Sequence, residues 1–251
     1  MSTSPHRTTS STPGDQATPG RSAGRQQAPP LPPVRAQAER LIEIGVPELA
    51  GTDATTFRAL AARLDGELDN TSRADDRPAP SALLAVHPTA APPSALAPLL
   101  RRGDAPGFVV VDMPDVDRFS PIDGIDVPEG VLYVVTDPDR GDDLSNWSPN
   151  EALGELAGRR RTPLLLSEGI HWALQVPAIV ARNHCYMTIG SRLRKPGGAL
   201  DARTPAVWIS NGTGRDGRER RGAPKVGWCW AGNRHTWLGF ASATGRRGGT
   251  A

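Results

Sequence analysis

Lys225-Val226-Gly227-Trp228-Cys229-Trp230-Ala231, the turn Gly232-Asn233-Arg234-His235, and Thr236-Trp237-Leu238-Gly239-Phe240-Ala241-Ser242 form the stretch that decides the fold. On either side of a polar turn the side chains change character with period two, the period of an extended strand and not of a helix. In the first strand Trp228 and Trp230 share one face, while Gly227, Cys229 and Ala231 share the other. Upstream, residues 185–191 and 204–210 repeat the pattern, so the chain from His184 onward reads as four strands. Residues 211–224 are a long Gly- and Arg-rich loop between the second and third. No helix-length crossover separates the four strands, which predicts antiparallel pairing.

Further upstream the pattern changes. Ala82–Val86 and residues 108–112 are short apolar runs of the kind buried in sheets, and residues 94–101 between them suit a short helix, giving a β-α-β pattern. Leu132–Thr136 is a third such run. Ser148-Pro149-Asn150-Glu151 starts a helix: Ser148 can cap, Pro149 suits the first position, and Glu151 closes a capping box. Ser167-Glu168 opens another, with Ile170, Trp172 and Leu174 turned inward. Nearer the N-terminus, Val34, Ala38, Leu41 and Ile42, and then Phe57, Leu60, Ala61 and Leu64, fall at helical spacing, with Gly45 placed to end the first run. These predict a helical hairpin, followed by a polar, Pro-containing loop over residues 66–80. The fold class that follows is α+β: one domain over residues 34–245, with a helical hairpin, a β-α-β segment and a mainly antiparallel C-terminal sheet.

Residues 1–33 are rich in Ser, Thr, Pro, Gly, Gln and Arg with few large apolar side chains, too little to offset the entropy of ordering, so they are expected to be disordered. They end in Pro29-Pro30-Leu31-Pro32-Pro33, which favours polyproline II, read as a stiff spacer ahead of a ligand for a Pro-binding module. An over-extended start ahead of Val34 is the third reading. Residues 246–251 are expected to be a disordered terminus. The N-terminus has no apolar leader and no run is long enough to span a membrane, so the cytoplasm is the expected location and a membrane partner is excluded. Two cysteines cannot build a disulfide framework. Net charge is +2, so whole-chain charge argues for neither nucleic acid nor membrane, and nucleic acid is not the expected partner. Charge is nevertheless segregated. Residues 104–143 hold eleven acids against Arg118 and Arg140, and residues 182–247 hold thirteen bases against Asp201, Asp216 and Glu219. The two segments are expected to face each other, within the fold or across a homo-oligomer.

Several patterns suggest chemistry and do not carry it. Gly212-Thr213-Gly214-Arg215-Asp216-Gly217 has the glycine spacing of a dinucleotide site, but Pro224 leaves no room for the helix such a site needs, so a hairpin loop is expected. The arginines of that loop could still contact an anion. Asp137-Pro138-Asp139-Arg140-Gly141-Asp142-Asp143 fails as a calcium loop at its ligand and glycine positions. A zinc site from His184, Cys185, Cys229 and His235 fails because adjacent strand residues point to opposite faces, so no metal and no cofactor is expected. Cys229 with His235 or His184 remains a candidate nucleophilic pair, weighed against a buried structural thiol. The tryptophans are the most informative feature: Trp208, Trp228, Trp230 and Trp237 lie within thirty residues of a chain with six. Such side chains belong first in a core. With Asn233, Arg234 and His235 at the adjoining turn they also suit a pocket.

The stretch Gly227 to Gly239, together with Gly107-Phe108-Val109-Val110-Val111-Asp112-Met113, Asn146-Trp147-Ser148-Pro149 and Asn183-His184-Cys185, resembles a family of actinobacterial proteins classed as a domain of unknown function. The resemblance spans about residues 36–245 and brings no activity or site residues with it. The expected function is therefore binding of a small molecule or protein partner through Trp228, Trp230, Asn233, Arg234, His235 and Trp237. A hydrolase or transferase using Cys229 and His235, and an anion or nucleic-acid binder using the loop 212–225, are the alternatives.

Overall fold

The computed structural model describes residues 29–74 and 78–249; of the tail expected to be disordered over residues 1–33, residues 1–28 lie outside them, and residues 29–33 are irregular chain leading into the first helix, with Pro32 O accepting from Gln37 Nε2 at 2.7 Å. The longer helices are α1 (Val34–Glu43), α2 (Ala54–Ala74), α3 (Pro149–Gly158) and α4 (Leu166–Gln175). The two main sheets are built from β1 (Ala82–Val86), β2 (Phe108–Val109), β3 (Leu132–Thr136), β4 (Cys185–Met187), β5 (Arg203–Ile209), β6 (Pro224–Trp230), β7 (Leu238–Phe240) and β8 (Gly245–Gly248). The result is a mixed α+β domain in which α1 and α2 pack together ahead of mostly antiparallel sheets.

The helical hairpin forms as expected, with Gly45 in the left-handed region (φ 78°) where α1 ends. The segment 66–80 does not. Its first half continues α2 to Ala74, because Leu68 and Ser72 extend the buried stripe of Phe57, Ala61 and Leu64. The strand, short helix and strand of the expected β-α-β segment follow in that order, but the two strands do not share a sheet. β1 pairs antiparallel with β3, from Ala82↔Thr136 to Val86↔Leu132, whereas β2 joins the other sheet, parallel to Lys225 and Val226 of β6. The helix between them is a single turn, Pro93–Leu96, too short for a crossover. The apolar run of β2 is cut off where Met113 N–H bonds back to Val110 O, leaving Val111 exposed.

The first sheet has the order β1-β3-β8, and the second β7-β4-β5-β6-β2. In the second sheet β4, β5 and β6 are antiparallel neighbours, with the register Thr204↔Cys229 and Trp208↔Lys225. β7 returns parallel to β4, because residues 231–237 carry the chain back past two strands. The expected strand 185–191 breaks after Met187, and Ser191–Leu193 pairs instead with Phe119–Pro121. Residues 246–248, expected as disordered terminus, are part of β8 and pair with β3.

α4 lies between the sheets, buried at every position. Gly169 lets it sit on Tyr186 and Thr188, and the Tyr186 hydroxyl donates to Gly169 O at 2.7 Å. Polar residues of α1 and α4 complete the first sheet. Gln37 of α1 donates to Ala82 O and accepts from Leu84 N–H (2.7 and 2.8 Å), and His171 accepts from Val86 N–H at 3.3 Å. Alternate backbone groups on the open edge of β1 are thus satisfied by side chains, and the edge is closed to further strands. His171 Nδ1 lies 2.8 Å from Ser167 O, a group that can only accept; Nδ1 therefore carries the proton, and the ring is neutral. Glu168 accepts from Leu165 N–H (2.7 Å) and the Tyr133 hydroxyl (2.9 Å), and forms a two-pronged ion pair with Arg246 of β8 at 2.6 and 2.7 Å.

The segregated charges meet inside the chain. Asp112 faces Arg215, Asp115 faces Arg203 and Asp123 faces Arg194. Among the described residues no helix is long and apolar enough to cross a membrane.

Candidate functional site

β2 flanks only the start of β6, so the end of that strand, Trp228 to Trp230, emerges at the rim of the sheet. Strand alternation places both indoles on the face of Val226. Val226 is sealed, Trp228 is half-buried against the core, and Trp230 is 49% exposed. The two rings meet edge to face with centroids 4.5 Å apart. Beyond them the turn is held in place rather than free. Ala231 N–H bonds Ala202 O at 2.7 Å, and Asn233 N–H bonds Trp230 O at 3.0 Å.

The loop leading into α3 grips the same turn. Asn146 N–H donates to His235 O (2.8 Å) and Asn150 N–H to Ala231 O (3.2 Å). Arg234 donates to Asn146 O and to the Glu151 carboxylate. Glu151 is also the capping-box residue anticipated from the sequence, and hydrogen bonds from Ser148 hold its carboxyl below the ordinary value. This grip brings in Trp147, 36% exposed, which composition alone did not single out. Its one sequence signal was its place in Asn146-Trp147-Ser148-Pro149.

The opposite face of β6 is different chemistry. A side chain at Gly227 would lie 2.5 Å from Trp208 Cη2 and 3.0 Å from Val110, so Trp208 is what the small-residue face admits. The register puts Trp208 opposite Lys225, on the face away from Trp228 and Trp230. On this second face Cys229 Sγ lies 3.2 Å from His235 Nε2, and the His235 ring packs on Trp237 at 5.3 Å. Burial pushes the Cys229 thiol up and the His235 imidazole down, so at neutral pH both are uncharged. Thr204, directly across the strands from Cys229, has a buried hydroxyl without a hydrogen-bond partner. His184, the other candidate partner of Cys229, is engaged by Asp142 at 3.0 Å. Cys185 is core: its thiol faces Ala181 O and burial pushes it up to about 11.

The rejected patterns have protein partners of their own. In the acidic loop Asp139 accepts from Gly141 N–H, and Asp142 is held by Arg140. The glycine-spaced stretch 212–217 is hairpin loop, continued by a short 3-10 turn, Arg218–Arg220, rather than an α-helix.

The chain belongs to a family of unknown function (DUF5701), matched over residues 40–249. No curated protein and no solved structure matches it.

Proposed function

We propose that this member of the family is a cytoplasmic binding or accessory domain that recognises a small molecule or a partner at the rim formed by Trp228, Trp230 and the turn carrying Asn233, Arg234 and His235, with Trp147 and Trp237 flanking it. One observation carries the reading: Trp230 stands half exposed, braced edge-on by Trp228, beside an exposed polar turn that is pinned by the start of α3. A braced aromatic loses little conformational freedom on contact, and polar groups at its border give orientation, the usual division of labour in a recognition surface. The test is a titration of tryptophan emission against free amino acids, nucleosides, monosaccharides and aromatic carboxylic acids. At least one class is expected to shift the emission, and Trp230→Ser is expected to weaken that binding by about tenfold or more with an unchanged unfolding midpoint. If no class shifts it, or binding survives the substitution intact, the surface is not a binding site.

The 3.2 Å contact of Cys229 with His235 favours a second reading, a hydrolase or transferase in which His235 takes the thiol proton. Against it, both groups rest uncharged, and His235 Nδ1 has no orienting partner among the described residues. Thiol alkylation separates the two in the same titration: the enzyme reading requires loss of turnover, whereas the recognition reading leaves fold and binding intact.

A further inference from the structure

The Arg-rich hairpin loop between β5 and β6 takes no part in the surface just described, and its construction is unusual in where it puts its charges. Its acid Asp216 points inward, buried, accepting from the Ser210 hydroxyl at 2.7 Å and from Lys225 Nζ at 2.7 and 2.9 Å. Ser210 Oγ in turn accepts from Gly212 N–H at 3.1 Å, and Lys225 lies over the Trp208 ring at 4.9 Å. The loop is therefore fixed from within, by groups that its outward arginines cannot use.

Those arginines are left largely unneutralised. Arg218 and Arg221 are exposed and have no carboxylate partner among the described residues, and neither has Arg102, whose guanidinium reaches to 3.7 Å from where a Gly222 side chain would start. Arg215 meets Asp112 at 3.3 Å, but its side chain is 74% exposed and the pair is screened. Glu219 is the loop's exposed acid. Like charges gathered on a pinned loop repel one another, a cost that an anion removes. Guanidinium forks suit phosphate oxygens in pairs. Arg220 adds a second element of recognition. It lies over the Phe108 ring at 4.5 Å, which fixes one face of its guanidinium plane while the residue remains only half-buried. A planar cation held in this way is a stacking surface for a flat ring.

We infer that this loop binds a nucleotide-type ligand, its phosphates held by Arg102, Arg218 and Arg221 and its base stacked at Arg220. The contacts come from side chains, on the loop and at Arg102 beside it, so a phosphate-binding helix is not required. Two sources share this chemistry, a free nucleoside triphosphate and a nucleotide within a single strand, and the test has an arm for each.

Anisotropy of a fluorescent nucleoside triphosphate and of a labelled single-stranded oligonucleotide is measured with the full chain at low and at physiological salt. Saturable binding of either is expected, weakening as salt rises. Arg218→Glu/Arg221→Glu should reduce it by about tenfold or more. Arg63→Glu/Arg73→Glu, the same charge change made on α2, should leave it nearly unchanged. Arg220→Ala should weaken the base-bearing probes while sparing competition by inorganic tripolyphosphate. Response to the triphosphate identifies a free nucleotide as ligand, and response to the oligonucleotide alone identifies a strand. Absence of binding at low salt, equal loss in the α2 variant, or equal competition by poly-glutamate overturns the proposal. Unfolding midpoints of all variants verify that the loop changes leave the fold in place.

Discussion

Arg246→Met is expected to destabilise the domain by about 3–5 kcal/mol, a large part of what holds a domain of this size together. Arg246 and Glu168 are almost wholly buried, at 4% and 0% side-chain exposure, and they meet through two parallel hydrogen bonds. Removing the guanidinium leaves a carboxylate enclosed between the sheets with, among the described residues, the Tyr133 hydroxyl and Leu165 N–H as its remaining donors. It also strips Thr162 Oγ1 and Pro163 O of their donors at 2.8 and 2.9 Å. Breaking a buried pair costs more than replacing it, because the surviving charge has no water to return to. Glu168→Met/Arg246→Met is accordingly expected to be less damaging than Arg246→Met alone. Urea midpoints for the three proteins check this; a loss below about 1 kcal/mol for the single variant would show that Glu168 is not sealed. Deletion from residue 246 onward should behave like the single substitution or worse, since it removes the pairing with β3 as well.

Stability should also fall with pH through the histidine range, and His171 is the reason. The ring, on α4, is fully buried and accepts from Val86 N–H of β1, and burial lowers its pKa from 6.5 to about 4. The unfolded chain takes up a proton near pH 6.5 that the folded chain refuses until about pH 4, so between those values the unfolded state binds more protons. The stabilisation is complete above 6.5 and is lost as pH falls toward 4, roughly 3 kcal/mol in all. Burial also lowers the pKa of His87 and His235, so the contribution is isolated by difference. Denaturation midpoints at pH 7, 5.5 and 4 in His171→Gln should show a shallower decline than in the native chain. Identical slopes would mean that the ring is solvated or already charged.

What the sequence disclosed depended on how local the cause was. The capping box at Ser148 and Glu151 and the period-two strands β5 and β6 are local patterns, and they stand where they were expected. The contact of Cys229 with His235 was legible for the same reason, since a short turn returns one to the other. β8 was not legible. Gly245-Arg246-Arg247-Gly248 has no apolar face, and its place is fixed by an ion pair to a residue 78 positions away. The sheet that each strand of the β-α-β segment joins was hidden, because short apolar runs announce burial without naming a partner. β2 finds its partner in β6, more than a hundred residues downstream. That Trp208 lies on the face away from Trp228 and Trp230 is set by strand register, which sequence spacing does not encode. Trp147 is brought near the turn by contacts of Asn146, Asn150 and Glu151 with residues 231–235, some eighty positions away, which no local pattern encodes.

The openness of the aromatic rim is most directly tested by acrylamide quenching of tryptophan emission in the native chain and in Trp147→Phe/Trp230→Phe. Trp172 is sealed and Trp208, Trp228 and Trp237 are half-buried, so the double substitution should remove most of the emission that the quencher reaches. An accessible fraction that is the same in both proteins would contradict an exposed recognition surface at the end of β6.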